Sequence, residues 1–439
     1  MIPGSSRSIA MAAVGMVTAG ALVGCSATSA GTDDKTAPGG SAKPLAIPAT
    51  DGPGVTTDTV TVADNGYFAQ SAAVYKAVIA AYNKDGGIAG RKIVLAETPT
   101  GNASATASQT KQAQATCVAF GQLKNKVFAL LNEPNSATLD SCLNKQGTVV
   151  QLGSGGLTGS TMFKDAPYTA GAGSLTNTRL AESWPAVLES SGFLARKDKV
   201  AVVSDGLSDD DQVAKDILVP KLAEVTGTGP ALYAIDSNSQ DVNALKAQGL
   251  SIALKLKKAG TTRVVFFGTG YALGQVLMGG GAQGLEARYA MIGSGFPAGN
   301  GLTAAMQQAT TGYAWNLTDY GVTAAQQKTV LAGNAAADTC LAILTSARLD
   351  VAQNASTALG VCDSLNLLKA ALEASGSKHI NKEAYVAGLE KLGDFKSLTT
   401  FRSSFADSRR DGVAAIRKVA YSASCKCFQY TGSDLPVAG

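Results

Sequence analysis

From Val60 onward, short β-branched or apolar runs alternate with longer helical stretches, through four strands and then through four more. The first set is Thr59-Val60-Thr61-Val62, Lys92-Ile93-Val94-Leu95, Val127-Phe128-Ala129-Leu130-Leu131 and Thr148-Val149-Val150-Gln151-Leu152. The second set is Val200-Ala201-Val202-Val203, Ala231-Leu232-Tyr233-Ala234, Arg263-Val264-Val265-Phe266-Phe267 and Tyr289-Ala290-Met291-Ile292. Helical periodicity fills the intervals, over residues 69–82, 105–120, 211–226 and 242–259 among them. Parallel strands need crossover connections of this length, and a strand covered on both faces reads as a near-continuous apolar run. The expected fold is therefore α/β, with two doubly wound parallel sheets forming two lobes. Beyond Gly301 the pattern becomes mainly helical, with apolar stripes over residues 324–347, 364–373 and 381–392, and strand character returns only over 413–421.

In such sheets ligands bind beyond the carboxyl ends of the strands, where loops and helix N-termini present free backbone N–H groups. That rule selects Asp64-Asn65-Gly66-Tyr67-Phe68, Asn132-Glu133-Pro134-Asn135-Ser136 and Gly153-Ser154-Gly155-Gly156-Leu157-Thr158 from the first set. From the second it selects Ser204-Asp205-Gly206-Leu207-Ser208, Gly268-Thr269-Gly270-Tyr271 and Gly293-Ser294-Gly295-Phe296-Pro297. These loops are small, polar and punctuated by aromatics. Catalysis has little to work with: His379 is the one histidine, no Gly-x-Ser-x-Gly elbow occurs, and the run from Gly268 to Gly274 misses a dinucleotide fingerprint by one residue. No enzyme activity and no cofactor are expected. Charged residues make up 16% of the chain, and the net charge of +4 is spread without a basic block, which argues against a nucleic-acid partner.

The N-terminus points to export. An apolar run from Ile9 to Val23 follows Arg7 and is too short and too rich in Gly and Ala to remain as a spanning helix. Leu22-Val23-Gly24-Cys25 resembles the lipobox of bacterial lipoproteins, which implies a signal peptide over 1–24 and a diacylglycerol-bearing Cys25 as the first mature residue, on the outer face of the cell membrane. The alternative is ordinary secretion with Cys25 discarded or buried. Residues 25–56 carry almost no bulky apolar side chain and are expected to be a disordered tether, reaching on the order of 30 Å as a flexible coil. Six cysteines remain, Cys117, Cys142, Cys340, Cys362, Cys425 and Cys427, an even number suited to disulfides outside the reducing cytosol. Nearest-neighbour pairing is the simplest of several connectivities. Zinc is the rival for Cys425-Lys426-Cys427, but no second close pair or histidine flanks it, and no metal site is expected.

Asp85-Gly86-Gly87-Ile88-Ala89-Gly90-Arg91-Lys92-Ile93-Val94-Leu95, preceded by Ala81-Tyr82-Asn83, resembles the first crossover of type I periplasmic binding proteins of the leucine/isoleucine/valine group. Gly86 or Gly87 would supply the positive φ that ends the helix, and Gly90 the turn into the strand. The opening at Gly54-Val55-Thr56, the Cys117 and Cys142 pair, Leu256-Lys257-Lys258-Ala259-Gly260 before Val264, and Cys362-Asp363-Ser364-Leu365 also fall where that family has them. The resemblance implies two lobes joined by a three-crossing hinge, residues 57–174 plus 300–400 and residues 175–299 plus 401–439. It also implies a monomer that closes on one small molecule, amino-acid-like, an amide or a small carboxylate, and delivers it to an ABC permease. Carried over by loop position, the ligand contacts are Tyr67, Asn135, Ser136, Gly153, Ser154 and Thr158 in lobe one, and Gly270, Tyr271 and Phe296 in lobe two. A lipid-anchored sensor of the same fold is the alternative output. The loop after Val203 departs from the family pattern: it reads Ser204-Asp205-Gly206-Leu207-Ser208-Asp209-Asp210-Asp211. Helix capping and first-turn acidity are the simplest reading of Asp209 to Asp211. Asp205 stays open as a partner for a ligand ammonium. This loop, with no Glu after Ile292, puts a branched-chain amino acid in doubt as the ligand.

Overall fold

Sixteen strands are present in the computed structural model, which describes residues 45–64, 72–96, 109–133, 136–153, 157–206, 208–237, 239, 241–268, 271–292, 302–317 and 329–438. In chain order they are β1 Thr59–Ala63, β2 Lys92–Leu95, β3 Ala129–Glu133, β4 Val149–Leu152, β5 Leu157–Thr158, β6 Thr169–Ala170, β7 Leu175–Thr176 and β8 Val200–Ser204. Then come β9 Ala231–Ala234, β10 Arg263–Phe267, β11 Arg288–Ile292, β12 Thr310–Ala314, β13 Asp394–Phe395, β14 Ser403–Ser404, β15 Ala415–Ser422 and β16 Cys427–Pro436.

The first sheet runs β2-β1-β3-β4-β6, every pair parallel. The second runs β16-β15-β12-β11-β10-β8-β9, parallel from β9 to β12 and closed by an antiparallel hairpin. Because side chains alternate along a strand, neighbouring residues feed opposite helical layers. Val200, Val202, Val265 and Phe267 pack with Trp184, Leu188 and Leu222, while Ala201, Val203, Val264 and Phe266 pack with Leu245, Ile252 and Leu277. In the first sheet Val60 and Val62 join Val78, Leu365 and Tyr385 on one face, and Ala63 and Leu130 join Phe120 and Leu143 on the other. Each sheet is buried on both faces, as the continuous apolar runs require.

The chain passes between the two halves three times, after β6, after β12 and after β14, between Phe405 and Val413. The crossings lie side by side. Trp315 Nε1 donates to the Gly173 carbonyl at 2.9 Å, and Leu317 N donates to the Thr399 carbonyl at 2.8 Å. Arg179 and Asp411 form a buried ion pair at 3.0 Å, and Asp411 also accepts from Thr176 N at 2.8 Å and Oγ1 at 2.9 Å. Asp363 accepts from Leu398 N, Ser397 Oγ and Thr399 Oγ1 at 2.7 to 2.9 Å, which holds the loop between β13 and β14, ahead of the third crossing, to the long helix Val351–Ser375.

Several expectations need correction. Thr310–Ala314 is a fully buried strand of the second sheet, so the stretch after Gly301 is not uniformly helical, and residues 302–314 sit with the second half, whereas the 300–400 division placed them in lobe one. Its central Gly and paired Thr hide it from an apolar-run criterion, and burial between β11 and β15 supplies what its sequence lacks. The expected tether to residue 56 is docked well before that point. Asp51 pairs with Arg91 at 2.8 Å and accepts from Ile380 N, while Asn381 Nδ2 donates to the carbonyls of Pro48 and Thr50. The stripe over 324–347 becomes the helix Ala335–Ser346, capped by Asn334; residues 324–328 lie outside the described ones. The stripe over 364–373 is the middle of Val351–Ser375, which opens on the Asp350 cap and closes on Gly376 at φ 71°. Cys362 therefore sits within a helix. Strand character after Tyr421 continues into β16, whose Gly, Ser, Asp and Pro suit an edge strand and mask it in sequence.

The turn from Asn83 to Arg91 does use glycine as expected. Gly86, Gly87 and Gly90 all have positive φ, and Ile88 N and Arg91 N each bond the other's carbonyl. Disulfides join Cys117 to Cys142, Cys340 to Cys362 and Cys425 to Cys427.

Candidate functional site

The carboxyl ends of β3 and β4 meet at Glu133. Its backbone carbonyl accepts from Gly153 N at 2.7 Å, and its Oε2 accepts from Ser136 N at 3.1 Å. Ser136 Oγ caps the helix Ala137–Lys145 by accepting from Leu139 N. Two of the expected site residues, Ser136 and Gly153, are thus brought together through a third that sequence reasoning placed in the loop but not in the site. Gly153 admits this approach because a Cβ there would lie 2.6 Å from Asn132 Oδ1. Asp140, in the first turn of the same helix, is fully buried, and its carboxyl faces that of Glu133, with which it shares a side-chain hydrogen bond. Burial, and then the charge of Glu133, push its carboxyl well above the usual range.

Thr158 lies in β5, which pairs in parallel with β7 at Leu157↔Leu175 and Thr158↔Thr176. Its hydroxyl is buried and has no hydrogen-bond partner. Leu157, beside Thr158, packs on the core of the second half, and two residues beyond Thr158 the contact with that half continues. Ser160 N donates to Asp209 Oδ2 at 2.8 Å and Ser160 Oγ to Asp209 Oδ1 at 2.6 Å. Asn177 Nδ2 donates to both Asp209 Oδ2 and Asp210 Oδ1, each at 2.7 Å. Burial on its own would raise the Asp209 carboxyl, but the Ser160 and Asn177 hydrogen bonds outweigh it and hold the group below the ordinary carboxylate range. Asp210 goes the other way: burial, with Asp209 and Asp211 as like-charged neighbours, raises it against the opposing bonds from Asn177 and Asp205.

Asp209, Asp210 and Asp211 do open the helix Ser208–Val213, so first-turn acidity is present, but capping does not describe them. Asp209 bridges the halves, and Asp211 accepts from Ser204 Oγ. Asp205, buried at the carboxyl end of β8, has its carboxylate against Gly268, where a Cβ would collide with it. The halves therefore meet at the strand ends. Ser160, Asn177, Asp140 and Glu133 were missed; a carboxylate at the end of a buried parallel strand was the available signal for Glu133.

Tyr67, Asn135, Ser154, Gly270 and Phe296 lie outside the described residues, as does Cys25; Tyr271 begins the helix Tyr271–Ala282. Among the described residues no group of three or more His, Cys, Asp or Glu side chains could hold a metal ion, and no helix is long and apolar enough to cross a membrane.

No protein-family model matches the chain, and no curated protein matches it in sequence. Solved structures do. A solute-binding protein of an ABC transporter from Rhodopseudomonas palustris HaA2, in complex with p-hydroxybenzoic acid, aligns over 87% of this chain and 98% of its own, with TM-score 0.59 and 15% identity. The fold is that of type I periplasmic binding proteins. The branched-chain amino acid transporter substrate-binding protein LivJ from Streptococcus pneumoniae, in complex with isoleucine, aligns over 86% of this chain and 99% of its own, with TM-score 0.56 and 17% identity. An ABC transporter substrate-binding protein from Desulfitobacterium hafniense, in complex with Leu, covers 85% and 99%, with TM-score 0.55 and 15% identity. Type I periplasmic-binding-protein architecture thus spans nearly the whole of those chains and most of this one.

Proposed function

We propose that this chain is an extracytoplasmic solute-binding protein that captures a small amino-acid-like or amide-like ligand between its halves and presents it to an ABC permease. Cys25 would be its lipid-bearing first residue at the outer face of the cell membrane. The observation that carries this reading is the bridge from Ser160 to Asp209, which sets the strand ends of one sheet against those of the other. The aligned solved structures are of ABC-transporter substrate-binding proteins, and the export-like N-terminus and the disulfides agree with this reading. In this reading Tyr67, Asn135, Ser136, Gly153, Ser154 and Thr158 approach the ligand from one side and Asp205, Gly270, Tyr271 and Phe296 from the other. A native-state binder raises the melting temperature by linkage. A thermal-shift screen over amino acids, amides, amines and small carboxylates should give at least one hit, and Tyr271→Ala should weaken that hit at least several-fold while leaving the fold intact. A screen without any hit would count against solute binding.

A further inference from the structure

We infer that Cys425–Cys427 is a thiol–disulfide exchange site, a bridge that takes two electrons from an external dithiol while the protein stays folded. This does not depend on the solute-binding reading.

The other two disulfides close on the interior. Cys117, Cys340 and Cys362 are each no more than 2% exposed, and each of those bridges joins one helix to another. Cys425–Cys427 joins nothing that is otherwise apart. Its cysteines stand two positions apart at the tip of the β15–β16 hairpin, where Cys425 and Lys426 are exposed and Cys427 is half-buried. The hairpin closes on the facing pair Ser422 and Cys427, and the next pair, Tyr421 and Phe428, fixes the register by an edge-to-face contact. A buried staple resists reduction because opening it costs the packing around it, whereas an exposed bridge with no packing to defend is the labile kind.

The surroundings of the sulfurs favour the reaction. Side chains alternate along a strand, so Cys427 and Gln429 project from the face opposite the buried Phe428. There Gln429 Nε2 donates to Cys425 Sγ at 3.5 Å. Between Asp411 and Asp434 the sequence has no carboxylate, and Lys426 stands between the two cysteines. A cation and an N–H donor both stabilise a sulfur that carries negative charge, and the more stable thiolate leaves faster in exchange. Gln146 Nε2 donates to Cys117 Sγ in the same way at 3.1 Å, but that sulfur is buried, so exposure and charge together single out the hairpin tip.

The exchange runs in two displacements. A thiolate of the dithiol attacks the exposed Cys425 Sγ, a new S–S bond forms there, and the Cys425–Cys427 bond breaks with Cys427 leaving as a thiolate beside Lys426. The second sulfur of the dithiol then attacks its own mixed-disulfide sulfur, and Cys425 leaves as a thiolate that accepts from Gln429. The dithiol departs oxidised, as a cyclic disulfide. Its two electrons reduce the pair, and its two protons end on the Cys425 and Cys427 thiols.

The test is a time course of reduction by dithiothreitol on the oxidised, intact mature chain at pH 7 and low salt, quenched in acid, alkylated and read peptide by peptide in a mass spectrometer. The peptide holding Cys425 and Cys427 should gain two alkyl groups at least about tenfold faster than the peptides of the other two pairs, with circular dichroism unchanged. It should also react at least about tenfold faster than glutathione disulfide under the same conditions, since that disulfide is exposed but lacks the neighbouring cation. Lys426→Glu should slow the reaction at least about threefold at low salt and less at high salt. A rate no greater than that of glutathione disulfide would overturn the inference, as would reduction that appears only with loss of the circular dichroism signal. An unchanged rate in Lys426→Glu, with the fold intact, would overturn it as well.

Discussion

The two halves share one strand-and-helix alternation but fasten their helical layers by different means. In the first half each layer carries a disulfide: Cys117–Cys142 joins the helix Gln109–Gln122 to Ala137–Lys145, and Cys340–Cys362 joins Ala335–Ser346 to Val351–Ser375. In the second half the helices Val242–Lys258 and Tyr271–Ala282 are held by close approach. A Cβ at Gly249 would lie 2.5 Å from the Gln275 carbonyl oxygen, and one at Gly279 would lie 2.8 Å from the Gly249 carbonyl oxygen. The cross-links span 25 and 22 residues, so each restrains one local stretch of chain. Neither joins the N-terminal part of the first half to the helical part that returns after β12. That junction has no covalent link and relies on burial, through Val60, Val78, Leu365 and Tyr385, and on hydrogen bonds such as Tyr82 Oη to Asn366 Oδ1 and Gln151 Nε2 to Tyr385 Oη. Covalent staples restrict the unfolded chain, whereas glycine contacts demand a shape of the folded one.

The comparison breaks most sharply at Gly388, where the first half borrows the device of the second. A Cβ there would overlap the Ala371 carbonyl oxygen of the neighbouring helix, and a backbone atom cannot swing aside. Gly388→Ala should lower stability by more than about 3 kcal/mol, at the upper end of overpacking effects. Urea unfolding followed by circular dichroism would check this. A loss below about 1 kcal/mol would mean that the two helices separate freely, and that close approach fastens neither half.

Removing a staple should come next in size. Cys340 and Cys362 are both buried, and closing a loop of this length is worth about 3 kcal/mol in the chain-entropy account. The Cys340→Ala/Cys362→Ala variant should therefore lose on that order, with amide exchange accelerated over residues 335–375 and unchanged over 242–282. Equal acceleration in both stretches would show that the halves do not unfold as separate units.

The hinge offers a pH-dependent version of the same contrast. On the second-half side Asp411 is neutralised by Arg179, but Asp363 on the first-half side has only hydroxyls and one backbone N–H. Burial outweighs those bonds and raises the Asp363 carboxyl from 3.8 to about 6. A carboxyl whose folded value lies above its unfolded value stabilises fully below the unfolded value and loses that contribution as pH rises through the folded one. The window here is pH 4 to 6, and two pKa units set a ceiling of roughly 3 kcal/mol. Asp363→Asn keeps an acceptor for Leu398 N and a donor for the rotatable hydroxyls. The stability difference between native chain and variant should fall across that window and be flat above pH 7; a flat difference throughout would place the Asp363 proton elsewhere.

The parallel strands were legible because burial on both faces forces apolar runs, as at Val200 to Val203 and Arg263 to Phe267. Thr310–Ala314 and Cys427–Pro436 were not, since their place is set by the strands beside them and not by their own composition. The strand-end loops were legible in the same way, from the parallel runs they follow. Their contacts were only half so. Asp209 reads as a first-turn acid until Ser160, 49 residues away, and Asn177, 32 residues away, are brought against it by the fold.

The smallest expected effect sharpens the contrast from the other side, because the second half does own one disulfide. Cys425–Cys427 closes a stretch with a sequence separation of 2 at the tip of the β15–β16 hairpin, where Cys425 is exposed. So short a loop takes little freedom from the unfolded chain. The register at the tip is already held by the facing pair Tyr421 and Phe428, an edge-to-face contact at 5.5 Å with Phe428 buried. Replacing both cysteines with serine should therefore change stability by less than about 0.5 kcal/mol and leave exchange in β15 and β16 unaltered. If the variant instead lost more than about 1 kcal/mol, the hairpin that closes the second sheet would depend on a covalent staple, and the distinction between a stapled half and a shape-packed half would disappear.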